Sequence, residues 1–300
     1  MRRPTIMAPV LTVLVLALAL CAGCQEDGGD KGRQETPTVK KDPGGNLTYV
    51  ALGDSYSSAP GVPETDMSNP CLRSSNNYPS MVADALSIRD FVDVTCGGAT
   101  TKDMTTPQQE GTAPQLDALT PKTDLVTLGI GGNDSDVFFH AIYQCVMVAS
   151  QDPDGSPCSD QSERSGVDLD AVLTTTQESI VKVVEEIQRR SPKARIILVG
   201  YPQLVPAQGA CDALPLAAGD YEWARGVNRK LADAVAGAAD TTETTYVDMW
   251  KASAGHDACA DKPWVNGSSN NEFAAAFHPR IEEQEAAADL IVQQDRDKLP

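Results

Sequence analysis

The most constraining feature of this chain is an alternation of short apolar runs with longer stretches of helical spacing. Leu47 to Gly53 (LTYVALG), Phe91 to Thr95, Asp124 to Ile130 (DLVTLGI), Arg195 to Gly200 (RIILVG) and Thr245 to Met249 are the apolar runs. They are short and rich in β-branched residues, as buried strands are. Between them, Tyr78 to Ile88, Leu169 to Ile187 and Tyr221 to Ala236 keep apolar residues at helical spacing, and Arg280 to Gln294 reads as a terminal helix. Strands alternating with helices predict the α/β class, with a mostly parallel sheet covered on both faces. In such sheets chemistry lies outside the carboxyl ends of the strands. Asp54 and Ser55 follow the first run, Gly97 and Gly98 the second, Asn133 and Asp134 the third, and His278 precedes the terminal helix.

Ahead of the first strand the chain changes character. Arg2 and Arg3 precede an apolar run, Val10 to Leu20, broken only by Thr12. That run has the length of a signal h-region and is too short to span a bilayer. It leads into Cys21-Ala22-Gly23-Cys24, a small-small-Cys ending similar to the bacterial lipobox, although Cys21 stands where Leu is usual. The expectation is a lipoprotein-type signal over 1–24 with Cys24 lipidated; the alternative is an ordinary cleaved secretory signal. Residues 25–46 are rich in Gly, Lys, Asp and Glu and lack aromatics, so they read as a flexible linker. Residues 47–300 are then one domain, with no internal repeat or second linker.

The formal charge of -18 disfavours a nucleic-acid partner and attraction to anionic headgroups. The membrane link therefore falls to the lipid anchor, and the domain is expected outside the cytoplasm. Six cysteines follow the signal: Cys71, Cys96, Cys145, Cys158, Cys211 and Cys259. An even count in an exported chain predicts disulfides, but six cysteines permit about fifteen pairings. None of the six forms a CxxC pair, which argues against zinc or redox chemistry.

Each polar motif has a plain structural reading. Ser55 after a strand can be a helix N-cap. Gly97-Gly98 can be a tight turn. Asn133 in Gly131-Gly132-Asn133-Asp134 can be a turn residue. His140 lies in an apolar stretch and reads as packed, and His256 in Gly255-His256-Asp257 is a second candidate base that reads as structural. The chain has no Gly-x-Ser-x-Gly, His-Glu-x-x-His or Gly-x-x-x-x-Gly-Lys, which removes the α/β-hydrolase, zincin and P-loop classes.

Taken together and in order, Gly53-Asp54-Ser55, Gly98, Gly131 to Asp134 and Phe277-His278-Pro279 resemble the sequence blocks of SGNH/GDSL hydrolases. Leu128 to Asp134 and Gly255-His256-Asp257-Ala258-Cys259 are similar to the secreted actinobacterial esterase/lipase branch. The resemblance covers most of residues 47–300. It implies a flavodoxin-like three-layer α/β/α sandwich with a five-stranded parallel sheet. It implies a serine ester hydrolase with Ser55 as nucleophile, His278 as base, and an oxyanion hole from the Ser55 N–H, the Gly98 N–H and the Asn133 side chain. It also implies the bridges Cys71–Cys96, Cys145–Cys158 and Cys211–Cys259. Many members carry Asp three residues before the histidine, where this chain has Ala275. In the resembling branch a main-chain carbonyl takes that role, which implies the Ala275 carbonyl and a Ser–His dyad. Glu272 is a less favoured acid that loop movement could bring. No metal or organic cofactor is implied. The expected substrate is a lipid or short-chain acyl ester. The alternatives are a carbohydrate acetylesterase or phospholipase of the same fold, or a non-catalytic surface-binding lipoprotein. The Asp136 to Gly166 insert, with Val137, Phe138, Phe139, Ile142, Val146, Met147 and Val148, is expected to shape an acyl pocket or to form core.

Overall fold

The computed structural model describes residues 47–296. The signal, Cys24 and the linker lie outside the described residues, as do residues 297–300. Strands β1 (Thr48–Gly53), β2 (Asp90–Asp93), β3 (Leu125–Gly129), β4 (Arg195–Val199) and β5 (Thr245–Val247) form one sheet in the order β2-β1-β3-β4-β5. Every pairing is parallel. The helices are α1 (Ser55–Ser58), α2 (Tyr78–Ala85), α3 (Gln144–Val148), α4 (Pro157–Ser165), α5 (Leu169–Arg190), α6 (Asp220–Thr241), α7 (Met249–Ala252) and α8 (Ile281–Arg296).

The period-2 alternation of each strand divides the core. Tyr49, Ala51, Leu125 and Ile197 pack with Tyr78 and Val82 of α2 and with Ala287 and Ile291 of α8. Val50, Leu52, Val126 and Leu128 pack with Ile180 and Val184 of α5 and with Val227 and Leu231 of α6. Helices therefore cover both faces, giving the flavodoxin-like three-layer α/β/α sandwich. β1 sits between β2 and β3, so the chain reverses its direction across the sheet there. That switch point opens a crevice at the carboxyl ends of β1 and β3.

Local chemistry sets the element ends. β2 ends at Asp93, two residues before the expected Thr95, because its carboxylate takes the Thr95 N–H at 2.9 Å and the Thr95 hydroxyl at 2.7 Å. The Val94 and Cys96 N–H groups still donate to the Ala51 and Gly53 carbonyls, which carries the Gly97-Gly98 turn to the end of β1. β5 stops at Val247 because Asp248 caps α7, accepting the Lys251 N–H at 2.9 Å. The insert after β3 is built from short helices, including a π-helical turn at Phe139–Tyr143.

Three bridges, Cys71–Cys96, Cys145–Cys158 and Cys211–Cys259, staple the loops. The first closes a separation of 25 residues, and the Gly97 N–H donates to the Cys71 carbonyl at 3.0 Å beside it. Replacing Cys71 and Cys96 together by Ser is expected to lower unfolding stability by about 3 kcal/mol, as read by urea denaturation.

Glu283, in the first turn of α8, is only 3 % exposed, and its carboxylate accepts the Gln284 amide at 2.7 Å. Burial raises its pKa from 4.5 to about 8. A carboxyl whose folded value is raised contributes stability that is complete below its unfolded value and is lost as pH rises through about 8. Glu283→Gln does not titrate. Its melting temperature relative to wild type is expected to rise between pH 5 and pH 8, as measured by scanning calorimetry, and a constant difference would contradict this account.

Candidate active site

β1 ends in Gly53, whose φ is +153°, and a Cβ there would lie 2.4 Å from Ser57 Oγ and 2.6 Å from the Gly129 carbonyl. Only glycine fits, and the chain turns directly into α1. Asp54 is the N-cap and accepts the Tyr56 N–H at 2.9 Å. Ser55 is therefore the first residue of a helix, where backbone N–H groups have no intrahelical acceptor. Its N–H has no protein partner among the described residues.

Asp54 is buried, and the Tyr201 hydroxyl donates to its other oxygen. Burial pushes the Asp54 carboxyl up to about 7, against the lowering effect of the Tyr201 and Tyr56 bonds. The same Tyr201 oxygen accepts the Gly132 N–H at 2.8 Å. One phenol thus ties the end of β1 to the loop after β3.

That loop presents Asn133, whose amide donates to the Ala99 carbonyl at 3.0 Å. An amide has two N–H groups, so one is left for a ligand. Asp134 accepts the Thr101 N–H at 2.8 Å and its hydroxyl at 2.6 Å, joining this loop to the one after β2. Both motif aspartates accept backbone N–H groups. In the β2 loop, Cys96 to Ala99 close a turn with Gly98 at φ +76°, and the Gly98 N–H has no protein partner among the described residues.

His278 arrives from the far end of the chain. Its Nδ1 lies 2.7 Å from the Ala276 carbonyl. A carbonyl only accepts, so Nδ1 carries the proton and Nε2 of the neutral ring keeps its lone pair. The expected Ala275 carbonyl is corrected here. Ala275 O is already engaged by the His278 N–H at 3.2 Å, in a turn with Phe277 at φ +61°, and by the Asn266 amide at 3.2 Å. That turn leaves the Ala276 carbonyl beside the ring. Burial pulls the His278 pKa below 6.5, and the Ala276 bond only partly offsets it.

Ser55, Gly98, Asn133 and His278 line one cavity of about 290 Å³. Pro60, Pro70, Leu72, Phe138 and Tyr143 supply its apolar wall. Neither the Ser55 hydroxyl nor His278 Nε2 has a hydrogen-bond partner among the described residues. Such contacts commonly tighten only when a ligand is bound. The cavity thus combines a hydroxyl, a neutral imidazole nitrogen and three N–H donors, the parts required for acyl transfer.

Other expected residues fall elsewhere. His256 stacks on Trp264 at 4.4 Å and bonds the Lys262 carbonyl, and His140 bonds Gln144. Glu272 is exposed and does not line the cavity. Of the seven apolar insert residues singled out from the sequence, Phe138 lines it; Val137, Ile142 and Val148 are core, Val146 packs against that core, and Phe139 and Met147 are exposed. Tyr56, Tyr143 and Tyr201 also line the site, without any local signal in the sequence.

Comparison with known proteins gives the family. Residues 51–282 match the GDSL-like Lipase/Acylhydrolase family. Lipase 2 of Streptomyces coelicolor is 45% identical over 235 residues, 75% of each chain. The crystal structure of an extracellular lipase from Streptomyces rimosus superposes with a TM-score of 0.69 at 26% identity, over 83% of this chain and 99% of that one. Phospholipase A1 from Streptomyces albidoflavus NA297 superposes with a TM-score of 0.68 at 28% identity, with the same coverage. The chain therefore belongs to the GDSL-like lipase/acylhydrolase family and is a carboxylic ester hydrolase of its actinobacterial lipase branch.

Proposed function

We propose that Ser55 and His278 act as a catalytic dyad on uncharged acyl esters. The observation that carries this reading is the Nδ1 bond of His278 to a carbonyl, in the cavity that Ser55 also lines. It leaves Nε2 free to accept a proton. Ser55 Oγ attacks the ester carbonyl carbon as its proton passes to His278 Nε2. The carbonyl oxygen becomes an oxyanion, held by the Ser55 N–H, the Gly98 N–H and the Asn133 amide. Collapse of this intermediate breaks the ester C–O bond, and the His278 proton leaves with the alcohol. Water, deprotonated by His278, then releases the acid and restores Ser55. The Ala276 carbonyl fixes the ring and its tautomer without a carboxylate, so the imidazolium is stabilised less than in a triad.

The wall composition supports an uncharged ester. No Lys or Arg is among the residues lining this cavity, so a phosphate-bearing leaving group would lack a cationic partner there. Similarity to a phospholipase A1 is the observation that favours the second reading, an acyl ester of a phospholipid. We also propose, from the sequence alone, that the 1–24 signal exports the domain, that 25–46 is a spacer and that lipid on Cys24 holds the domain at a membrane. Cys24→Ser should then release the enzyme from the membrane fraction into the medium, as followed by immunoblot.

The test of the mechanism is hydrolysis of p-nitrophenyl esters, from acetate to palmitate, beside a phospholipid. Ser55→Ala should lose at least about 10³-fold in turnover, and Asn133→Ala about 10²- to 10³-fold. Because His278 must be neutral to act and its pKa lies below 6.5, the acidic limb of kcat/KM should fall below pH 6.5. Equal activity in wild type and Ser55→Ala would overturn the dyad. Faster cleavage of the phospholipid than of every uncharged ester would overturn the substrate class.

A further inference from the structure

The Ala276 carbonyl accepts two side chains. One is His278 Nδ1 at 2.7 Å; the other is the Tyr143 hydroxyl at 3.2 Å. Among the described residues no other side chain donates to it. Tyr143 closes the π-helical turn at Phe139–Tyr143, two residues before Cys145 and its bridge to Cys158. Its ring meets Phe277 edge-on at 4.7 Å and Phe138 at 6.0 Å. Single π-turns recur at functional sites because they re-aim side chains within a helix. Here the turn directs a residue of the insert at the peptide that orients the histidine.

We infer that Tyr143 is a positioning residue, holding the Ala276 carbonyl in place for His278 and sharing its acceptor capacity. This rests on the dyad reading above. The insert would then serve the chemical step as well as shape the pocket. Two consequences follow from two donors on one oxygen. The carbonyl is held by a second donor besides the ring, so the ring keeps its orientation as substrate enters. The shared oxygen also stabilises the imidazolium less than it would alone, which favours the neutral base.

The other titratable groups on elements around His278 are engaged elsewhere. Tyr56 of α1 donates to the Phe277 carbonyl at 2.7 Å. Asp54 and Tyr201 bond each other. Glu283 of α8 bonds the Gln284 amide, and Arg280 lies over the Phe273 ring. Removing the Tyr143 hydroxyl therefore changes the Ala276 acceptor with little direct change in the charges around the ring.

The experiment is Tyr143→Phe in the full chain, which keeps the aromatic wall. It is assayed on p-nitrophenyl butyrate across pH, with the melting temperature and the His278 Nδ1 proton resonance measured alongside. The expected result is a kcat about fivefold lower, the value of one ordinary hydrogen bond, with KM unchanged. The acidic limb should move to higher pH, and the Nδ1 proton should shift. A wild-type kcat, a limb that stays or moves downward, or a loss confined to KM would overturn the inference. Ser55→Ala run in parallel separates the two claims. If it retains full activity, the dyad itself fails; if it is inactive while Tyr143→Phe behaves as wild type, only the role of Tyr143 fails.

Discussion

The site depends on one buried phenol. Tyr201 donates to Asp54 and accepts from the Gly132 N–H, so a single oxygen joins the ends of β1 and β3. A carboxylate as enclosed as Asp54 is costly to bury without partners. The Tyr201 and Tyr56 bonds supply two, and they set where α1 begins relative to Asn133. Asp134 repeats the device toward the β2 loop through Thr101. Three loops from three strand ends are thus held by side chains that line or flank the cavity, and the parallel sheet behind them provides a rigid base. The switch point explains why the loops converge: β1 is the strand with neighbours laid down in opposite directions, so the crevice forms above it.

Much of this was legible in the sequence, for reasons that are physical. Strands such as Leu125–Gly129 are wholly buried, so their apolar, β-branched runs stand out. Long helices such as α5 bury one stripe, and Ile180, Val184 and Ile187 betray it. Ser55, Gly98, Asn133 and His278 could be singled out because each lies in a short block beside a strand end or before the last helix. What escaped was non-local or very short. Tyr201 stands 147 residues from Asp54, and nothing near it in sequence marks the bond. The acceptor of His278 Nδ1 is Ala276 and not the expected Ala275 because the turn places Phe277 at positive φ, a conformation that a bulky residue rarely signals. Four-residue helices such as α1 and α7 show too little periodicity to be read. Glu283 looked like any acid in a first helical turn, and only the packing of α8 against α1 and α2 shows it to be buried.

The site also concentrates local cost. Asp54 and Glu283 are buried acids with raised pKa values, and Phe277 and Ala59 hold left-handed backbone. Ser58 has a buried hydroxyl without a partner among the described residues. Such features persist only where surrounding structure over-determines them. Here the apolar layers on both faces of the sheet, together with the Cys71–Cys96 bridge, supply that constraint.

The bond from Tyr143 to the Ala276 carbonyl bears on how such enzymes diverge. Loop insertions are usually regarded as modules that can be exchanged to alter selectivity while the reacting groups stay untouched. In this chain the module between β3 and α5 also touches the peptide that aims the histidine. If Tyr143 positions that peptide as proposed, exchanging the module for a relative's insert would alter turnover together with selectivity, and a graft would need a compensating donor to Ala276.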